Sequence, residues 1–399
     1  MFTAFLSEMK VKPPVCTECG ATMQNQGSRS KNIVSLLGEG VISRDYYTCP
    51  KCSTHAIPKD TLLDIKHTSF TPGVRRVTAK LAACDSFENS SLALEELCGV
   101  FVSSKDTERI AHAAGAVIQT RKAMQIEEAF SLSRTWQSAK PPVPIMYVEY
   151  DGTGVPIMKR EVNGRKGKQE DGTAKTREAK LGCIFTQTKT NEENEPVRDK
   201  NSTTYFGAIE TSESFGKRLY MEAVHRGVDS AAKVVVIGDG AKWIWNLAMD
   251  NFPNAVQIVD LYHAKEHLGE FVKAVFSDAD TQIAMKSEWF SLLGDGKIEE
   301  LTSQMCRFVS STPDKQEELE REVNYFKENA TRMRYAQFKK QGLFVGSGVI
   351  EAGCKNVIGK RLKQSGMHWS VNGANAIIAL RCAILSRDFD LSLGILSVA

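Results

Sequence analysis

Three apolar runs in this chain each end in an aspartate. IMYVEY leads into Asp151, KVVVIG into Asp239 and QIV into Asp260. Short apolar, β-branched runs bounded by glycine and aspartate read as buried strands. LGCIFTQT (Leu181 to Thr188) and TTYFGAIE (Thr203 to Glu210) read as two more strands, and a helical stretch follows to about Arg226. Helices are expected after Asp239 and again after Asp260. The element order is therefore three strands in succession, then helix, strand, helix, strand. That order predicts a mixed sheet flanked by helices. The ends of three strands would carry carboxylates.

This is the element order of a ribonuclease-H-like domain, and it bounds the chemistry. In an open α/β sheet the functional site lies at the strand ends, where Asp151 and Asp239 could meet. Carboxylates brought together repel and raise one another's pKa. A divalent cation with a taste for hard oxygen resolves this, which points to magnesium or manganese. Two such ions about 3.5–4 Å apart stabilise both oxygens of a phosphodiester displacement. A third acid is available in GSGVIEAGCKNVIGKRLKQSGMHW, where Glu351 is the one acidic residue. The bland readings are a helix cap or turn for each aspartate. His263 and His267 lie one helical turn apart and could be a zinc pair, but HAKEH is not the metalloprotease HExxH. Gly348 and Gly353 have P-loop spacing without the following Lys-Ser/Thr, so no ATP use is expected.

Charge is unevenly placed. The net charge is only +3. From Thr331 to Ser370, however, eight cations face Glu351 alone, and from Lys159 to Lys180 eight face four acids. Such stretches are the electrostatic footprint of a polyanion. Lys355, Lys360, Arg361 and Lys363 are expected to hold DNA phosphates. Trp369 is a candidate for stacking on an unpaired base, with packing on its own helix as the alternative.

Near the start, Cys16-x-x-Cys19 and Cys49-x-x-Cys52 form two knuckles suited to one tetrahedral structural zinc. The loop between them has room for a hairpin of SKNIVSLLG and GVISRDYYTC. His55 is a weaker candidate ligand. Cys84, Cys98, Cys183, Cys306, Cys354 and Cys382 stand singly and read as core. From about Thr71 to Gln125 the period is helical. Leu92, Leu94, Leu97 and Cys98 predict one apolar face, Gly99 a helix end, and Ser103 with Asp106 a capping box. Helix, turn, helix suggests a DNA-reading motif; an ordinary helical hairpin is the alternative. SAKPPVP (Ser138 to Pro144) reads as a linker. The first residues lack a signal-peptide pattern and ANAIIAL is too short to span a bilayer, so a cytoplasmic protein without membrane contact is expected.

Asp151-Gly-Thr-Gly, Gly238-Asp-Gly-Ala-Lys-Trp-Ile-Trp, Asp260-Leu-Tyr-His263 and the Gly346–Glu351 block together resemble the DDE transposases of bacterial insertion sequences, most closely the ISKra group. The likeness covers about Tyr147 to Arg387. It implies that Asp151, Asp239 and Glu351 hold the catalytic magnesium or manganese. It also implies that Asp260 and His263 match the aspartate-x-x-histidine signature of Mutator-like and hAT elements beside the active site. A helical insertion is expected before Glu351, since the interval from Asp239 is too long for a bare ribonuclease-H fold. The expected organisation is a zinc ribbon (1–70), a helix-turn-helix-like segment (71–140), a catalytic domain (141–270 and 341–399) and the insertion (271–340). The implied activity is cleavage of transposon ends and their joining to target DNA, carried out by a homo-oligomer, a dimer when bound to two ends. The rivals are a nuclease or resolvase that cuts without joining, and a DNA-binding regulator with an inert catalytic half.

Overall fold

The computed structural model describes residues 9, 11–131, 141–167, 169 and 172–394. It contains two compact units, Met1–Ala116 and Val117–Ala399. The division falls inside a long helix rather than at the proline-rich linker, part of which lies outside the described residues.

In the first unit the expected hairpin forms. Strands β1 (Gln24–Ser35) and β2 (Gly38–Thr48) pair antiparallel, and β3 (His55–Ala56) adds to β2. Ser35 pairs with Gly38, so the turn has two residues. Ile33 and Ile42 pack with Ile65 in a small core. Buried Arg44 donates to both oxygens of Asp60, which fastens the hairpin to the short helix α1 (Pro58–Leu62). Then come α2 (Pro72–Cys84), α3 (Phe87–Cys98) and α4 (Ser104–Ser131). Gly99 closes α3 in the left-handed region, and Ser103 Oγ accepts the Asp106 N–H. The cap signals are thus realised, but the expected apolar face of α3 is not. Leu94 is buried, whereas Leu92, Leu97 and Cys98 are exposed. Ser90 and Ser91 fill the buried stripe with Leu94, and Ser91 Oγ donates to the Val102 carbonyl. Ser91 can be buried there because the backbone satisfies its hydroxyl.

The second unit is built on a five-stranded sheet. Strands β4 (Ile145–Pro156), β5 (Thr176–Gln187) and β8 (Thr204–Ala208) pair antiparallel; β6 (Lys189–Thr190) and β7 (Pro196–Val197) form a separate small hairpin. On the other side of β4 lie β9 (Lys233–Gly238) and then β10 (Val256–Val259), both parallel to it. The order across the sheet is β8, β5, β4, β9, β10. Side chains alternate along β4. Tyr150 points to one face, where its hydroxyl donates to the Ile244 carbonyl and its ring meets Phe215 and Trp243. Those residues belong to α6 (Ser212–Arg226) and α7 (Lys242–Asn251), which follows the short α5 (Lys159–Val162) and α6 in the chain. Tyr147, Glu149 and Asp151 point to the opposite face.

After β10 come α8 (Leu261–Val275) and four further helices: α9 (Ala279–Gly294), α10 (Ile298–Met305), α11 (Pro313–Glu328) and α12 (Tyr335–Lys340). The chain then returns as α13 (Gly348–Gly353), a wide π turn (Cys354–Gly359) and α14 (Lys360–Leu362), one continuous helical run, followed by α15 (Val371–Leu385) and α16 (Phe389–Leu393). A Cβ at Gly353 would stand 2.7 Å from the Tyr205 ring, so only glycine lets α13 lie this close to the sheet. The π turn leaves the Asn356 carbonyl free to accept from the buried Arg381 guanidinium. No helix among the described residues is long and apolar enough to cross a membrane.

Candidate active site

Asp151 was expected past the end of its strand. It lies within β4, where it pairs with Leu181 of β5. The parallel ladder from β9 stops two residues earlier, at Glu149 and Ile237. Asp151 therefore sits where one neighbour ends and the other continues, and this opens its side chain toward the end of β9. Asp239 follows that strand directly. Its Oδ1 accepts the Ala241 N–H at 2.8 Å, which turns the chain into α7. Burial raises the pKa of Asp151, and the negative charge of Asp239 raises it further. The two aspartates are thus within electrostatic reach, as strand-end logic requires.

Glu351 comes from the first turn of α13 and is exposed. Its carboxyl is also pushed up, first by partial burial and then by Asp260, Glu266 and Asp151; His263 opposes this. His263 Nδ1 lies 3.3 Å from Glu266 Oε2 on the same face of α8. Asp151 thus lies within electrostatic reach of Asp239, Glu351 and His263, which come from three other elements. Their oxygens are hard donors whose mutual repulsion a divalent cation would relieve. The carboxylates do not close as tightly as the cysteines, the one group among the described residues with ligand atoms all within 4.8 Å.

Asp260 plays a different part. It is buried, and both oxygens are taken. Oδ1 accepts the N–H groups of Tyr262 and His263 at 2.6 and 3.1 Å, capping α8. Oδ2 accepts the Ser347 N–H at 2.6 Å and the Ser347 hydroxyl. A carboxylate with four donors has no lone pair facing a metal, so Asp260 holds α8 and the approach to α13 in place.

The four cysteines are gathered as their spacing predicts. Sulfur–sulfur distances are 3.5 Å for Cys16–Cys52 and Cys19–Cys49, 3.2 Å for Cys19–Cys52 and 3.4 Å for Cys49–Cys52. Four thiolates at about 2.3 Å from a tetrahedral zinc would stand about 3.8 Å apart, so a small expansion admits the ion. The knuckles share one geometry: the Gly20 N–H donates to the Cys16 carbonyl, and the Ser53 N–H to the Cys49 carbonyl. Backbone amides of Cys52 and Lys51 lower the Cys49 thiol to about 6, which favours a thiolate ligand. The cluster can hold a structural zinc. His55 is not part of it.

The sequence profile of the uncharacterised protein family UPF0236 matches residues 22–388. The chain belongs to that family. Among curated proteins none matches it. In this UPF0236 chain the matched span begins after Cys16 and Cys19; it takes in the second knuckle, Cys49 and Cys52, and every carboxylate described above.

Two residues of the expected DNA strip are placed otherwise. Arg361 is wholly buried, 4.9 Å over the Trp369 ring, and its NH1 lies 3.4 Å from Met367 sulfur. Trp369 is 7% exposed and donates its indole N–H to the Leu362 carbonyl. Both are core: the helical run buries every third or fourth residue, and Arg361 falls on that stripe. Lys355, Lys360 and Lys363 are exposed. Lys363 Nζ reaches Thr153 Oγ1 at 2.6 Å, two residues beyond Asp151. Of the single cysteines, Cys183 and Cys382 are buried and Cys354 is half-buried, while Cys84, Cys98 and Cys306 are exposed.

His267 is no zinc ligand here. Its Nδ1 lies 2.6 Å from Oε2 of buried Glu322, and its ring stacks on Tyr325 at 3.9 Å. Tyr325 donates to the Asp239 carbonyl at 2.8 Å. Gly240, in the left-handed region, makes room for that ring, since a Cβ there would stand 2.5 Å from it. The insertion helix α11 thus grips the backbone that presents Asp239. Sequence reading missed Tyr325, which sits in a charge-rich stretch. It also missed Glu149, wholly buried on β4. An acid in the middle of an apolar strand was the available signal.

Proposed function

We propose that this protein is a DDE transposase, cleaving transposon ends and joining them to target DNA by metal-dependent phosphoryl transfer. The observation that carries the reading is the approach of Asp151 and Asp239 at the end of the β4–β9 pair, with Glu351 facing Asp151 from α13. The strand order supports it, because three antiparallel strands followed by two parallel ones is a ribonuclease-H-like arrangement. Asp151, Asp239 and Glu351 would hold the magnesium or manganese. Such ions neutralise charge on the scissile phosphate and activate water or a 3′-hydroxyl. Lys355, Lys360 and Lys363 would take the backbone phosphates as point charges, Lys363 nearest to Asp151. His263 lies close enough to both acids to lower their pKa values and so favours the ionised, metal-holding form. The α3–α4 pair and the zinc knuckles would add affinity for the ends, and a dimer would bring two ends together.

The test incubates the purified protein with magnesium and DNA carrying the sequences that flank its gene. Cleavage at the ends followed by joined products is expected. Asp151→Asn, Asp239→Asn and Glu351→Gln should each bind DNA and lose cleavage, with double changes little worse than single ones. Cleavage without joining would make it a nuclease or resolvase. Sequence-specific binding with no cleavage in magnesium or manganese would make it a regulator.

A further inference from the structure

The helix carrying Glu351 starts without a side-chain cap of its own. The first N–H groups of a helix lack partners within it and need outside acceptors. Here the Ile350 and Glu351 N–H groups reach the Ser347 carbonyl at 3.0 and 3.1 Å, and two carboxylates from the sheet side add further acceptors. Asp260, at the end of β10, takes the Ser347 N–H and hydroxyl. Glu149, on β4, takes the Ile350 N–H on Oε2 at 2.9 Å. Ile350 immediately precedes Glu351. Glu149 is wholly buried, and its Oε1 has no hydrogen-bond partner among the described residues. A fully buried acid in the centre of a strand is costly unless it does something there.

We infer that Glu149 is a positioning residue: its hydrogen bond to the Ile350 amide fixes the first turn of α13 and so sets Glu351 against Asp151. Glu149 and Asp151 point to the same face of β4, two residues apart, so one strand presents both the acid facing the site and the acceptor that aims the opposing helix. The glutamate of a capping box does this locally, three residues into a helix. Glu149 does it from a distant strand and thereby ties helix position to sheet position. Such a link is needed because Glu351, on a helix reached after the long insertion, cannot be placed by local chain geometry.

This inference rests on the carboxylate site proposed above, and its test separates the two. Glu149→Gln keeps a carbonyl acceptor for the Ile350 amide; Glu149→Met keeps the shape and removes it. Hydrogen exchange of the peptide spanning residues 347–353 reads how much Glu149 protects the Ile350 amide beyond its shared bond to the Ser347 carbonyl. Manganese affinity, by titration with the metal alone, reads its consequence. The expected result is slow exchange and affinity within about threefold of the parent for Gln, against fast exchange and a 10–100-fold loss for Met, the range found when residues that orient metal ligands are removed. Equal exchange at Ile350 in the parent and Met proteins would overturn the inference, as would an equal loss in Gln and Met. Should Met fail to fold, a folded Gln variant with fast exchange would also overturn it. No manganese binding by the parent, with protection at Ile350 intact, would sink the metal-site reading and leave the bond established.

Discussion

Replacing Glu149 by glutamine should remove a fall in stability with rising pH from the second unit. Burial pushes the Glu149 carboxyl from 4.5 to about 8, and the charges of Asp260 and Glu351 add to this. The folded protein therefore holds a proton that the unfolded chain has lost above about pH 4.5. Stability is greatest below 4.5 and falls as pH rises toward 8, by about 1.4 kcal/mol per unit. Between pH 4.5 and 7 this amounts to about 3.4 kcal/mol. Glutamine cannot titrate and escapes that fall. Its amide, placed where Oε1 has no partner, costs about 1–3 kcal/mol at every pH. The parent should be the more stable near pH 4.5 and the variant equal or better, by up to about 2 kcal/mol, at pH 7. All five tryptophans lie beyond residue 117, so urea unfolding followed by their fluorescence reports this unit alone. Difference curves that stay flat from pH 5 to 8 would refute the assignment of a buried proton to Glu149.

Further outcomes follow from the other sites. Purified protein should carry one zinc per chain, and Cys49→Ser should unfold the knuckles while tryptophan fluorescence stays native; elemental analysis without zinc would end that assignment. Changing Lys355, Lys360 and Lys363 together to glutamine should flatten the slope of log DNA affinity against log salt by up to about 2.7, at roughly 0.9 per contact. An unchanged slope would mean a merely solvated helix face. Arg361→Gln should instead lower the unfolding midpoint and leave that slope alone, because the guanidinium is buried against Trp369. Tyr325→Phe removes one hydrogen bond to the Asp239 backbone, worth about 1 kcal/mol. It should weaken manganese binding with little change in fold, and binding equal to the parent's would show that the insertion does not brace Asp239.

Much of this molecule was legible in its residues. Apolar runs specify strands through local sterics and burial, and β4, β5, β8, β9 and β10 lie where those runs are, although β4 continues past Asp151 to Pro156. Two CxxC knuckles gather four thiols because each spans one tight turn, and a hairpin between them closes the loop. Gly99 and Ser103 end and start helices by backbone geometry alone. What the residues did not reveal depends on contacts between distant parts of the chain. A basic strip looks uniform along the sequence, yet packing against the sheet turns Arg361 inward and leaves Lys355, Lys360 and Lys363 in water. Asp260 looks like a third metal-binding acid until Ser347, brought back from beyond the insertion, fills its remaining oxygen. Glu149 meets its partner only because α13 crosses the sheet at Gly353. Local propensity and periodicity are properties of short segments, whereas the partner of a buried charge is chosen by the fold that encloses it.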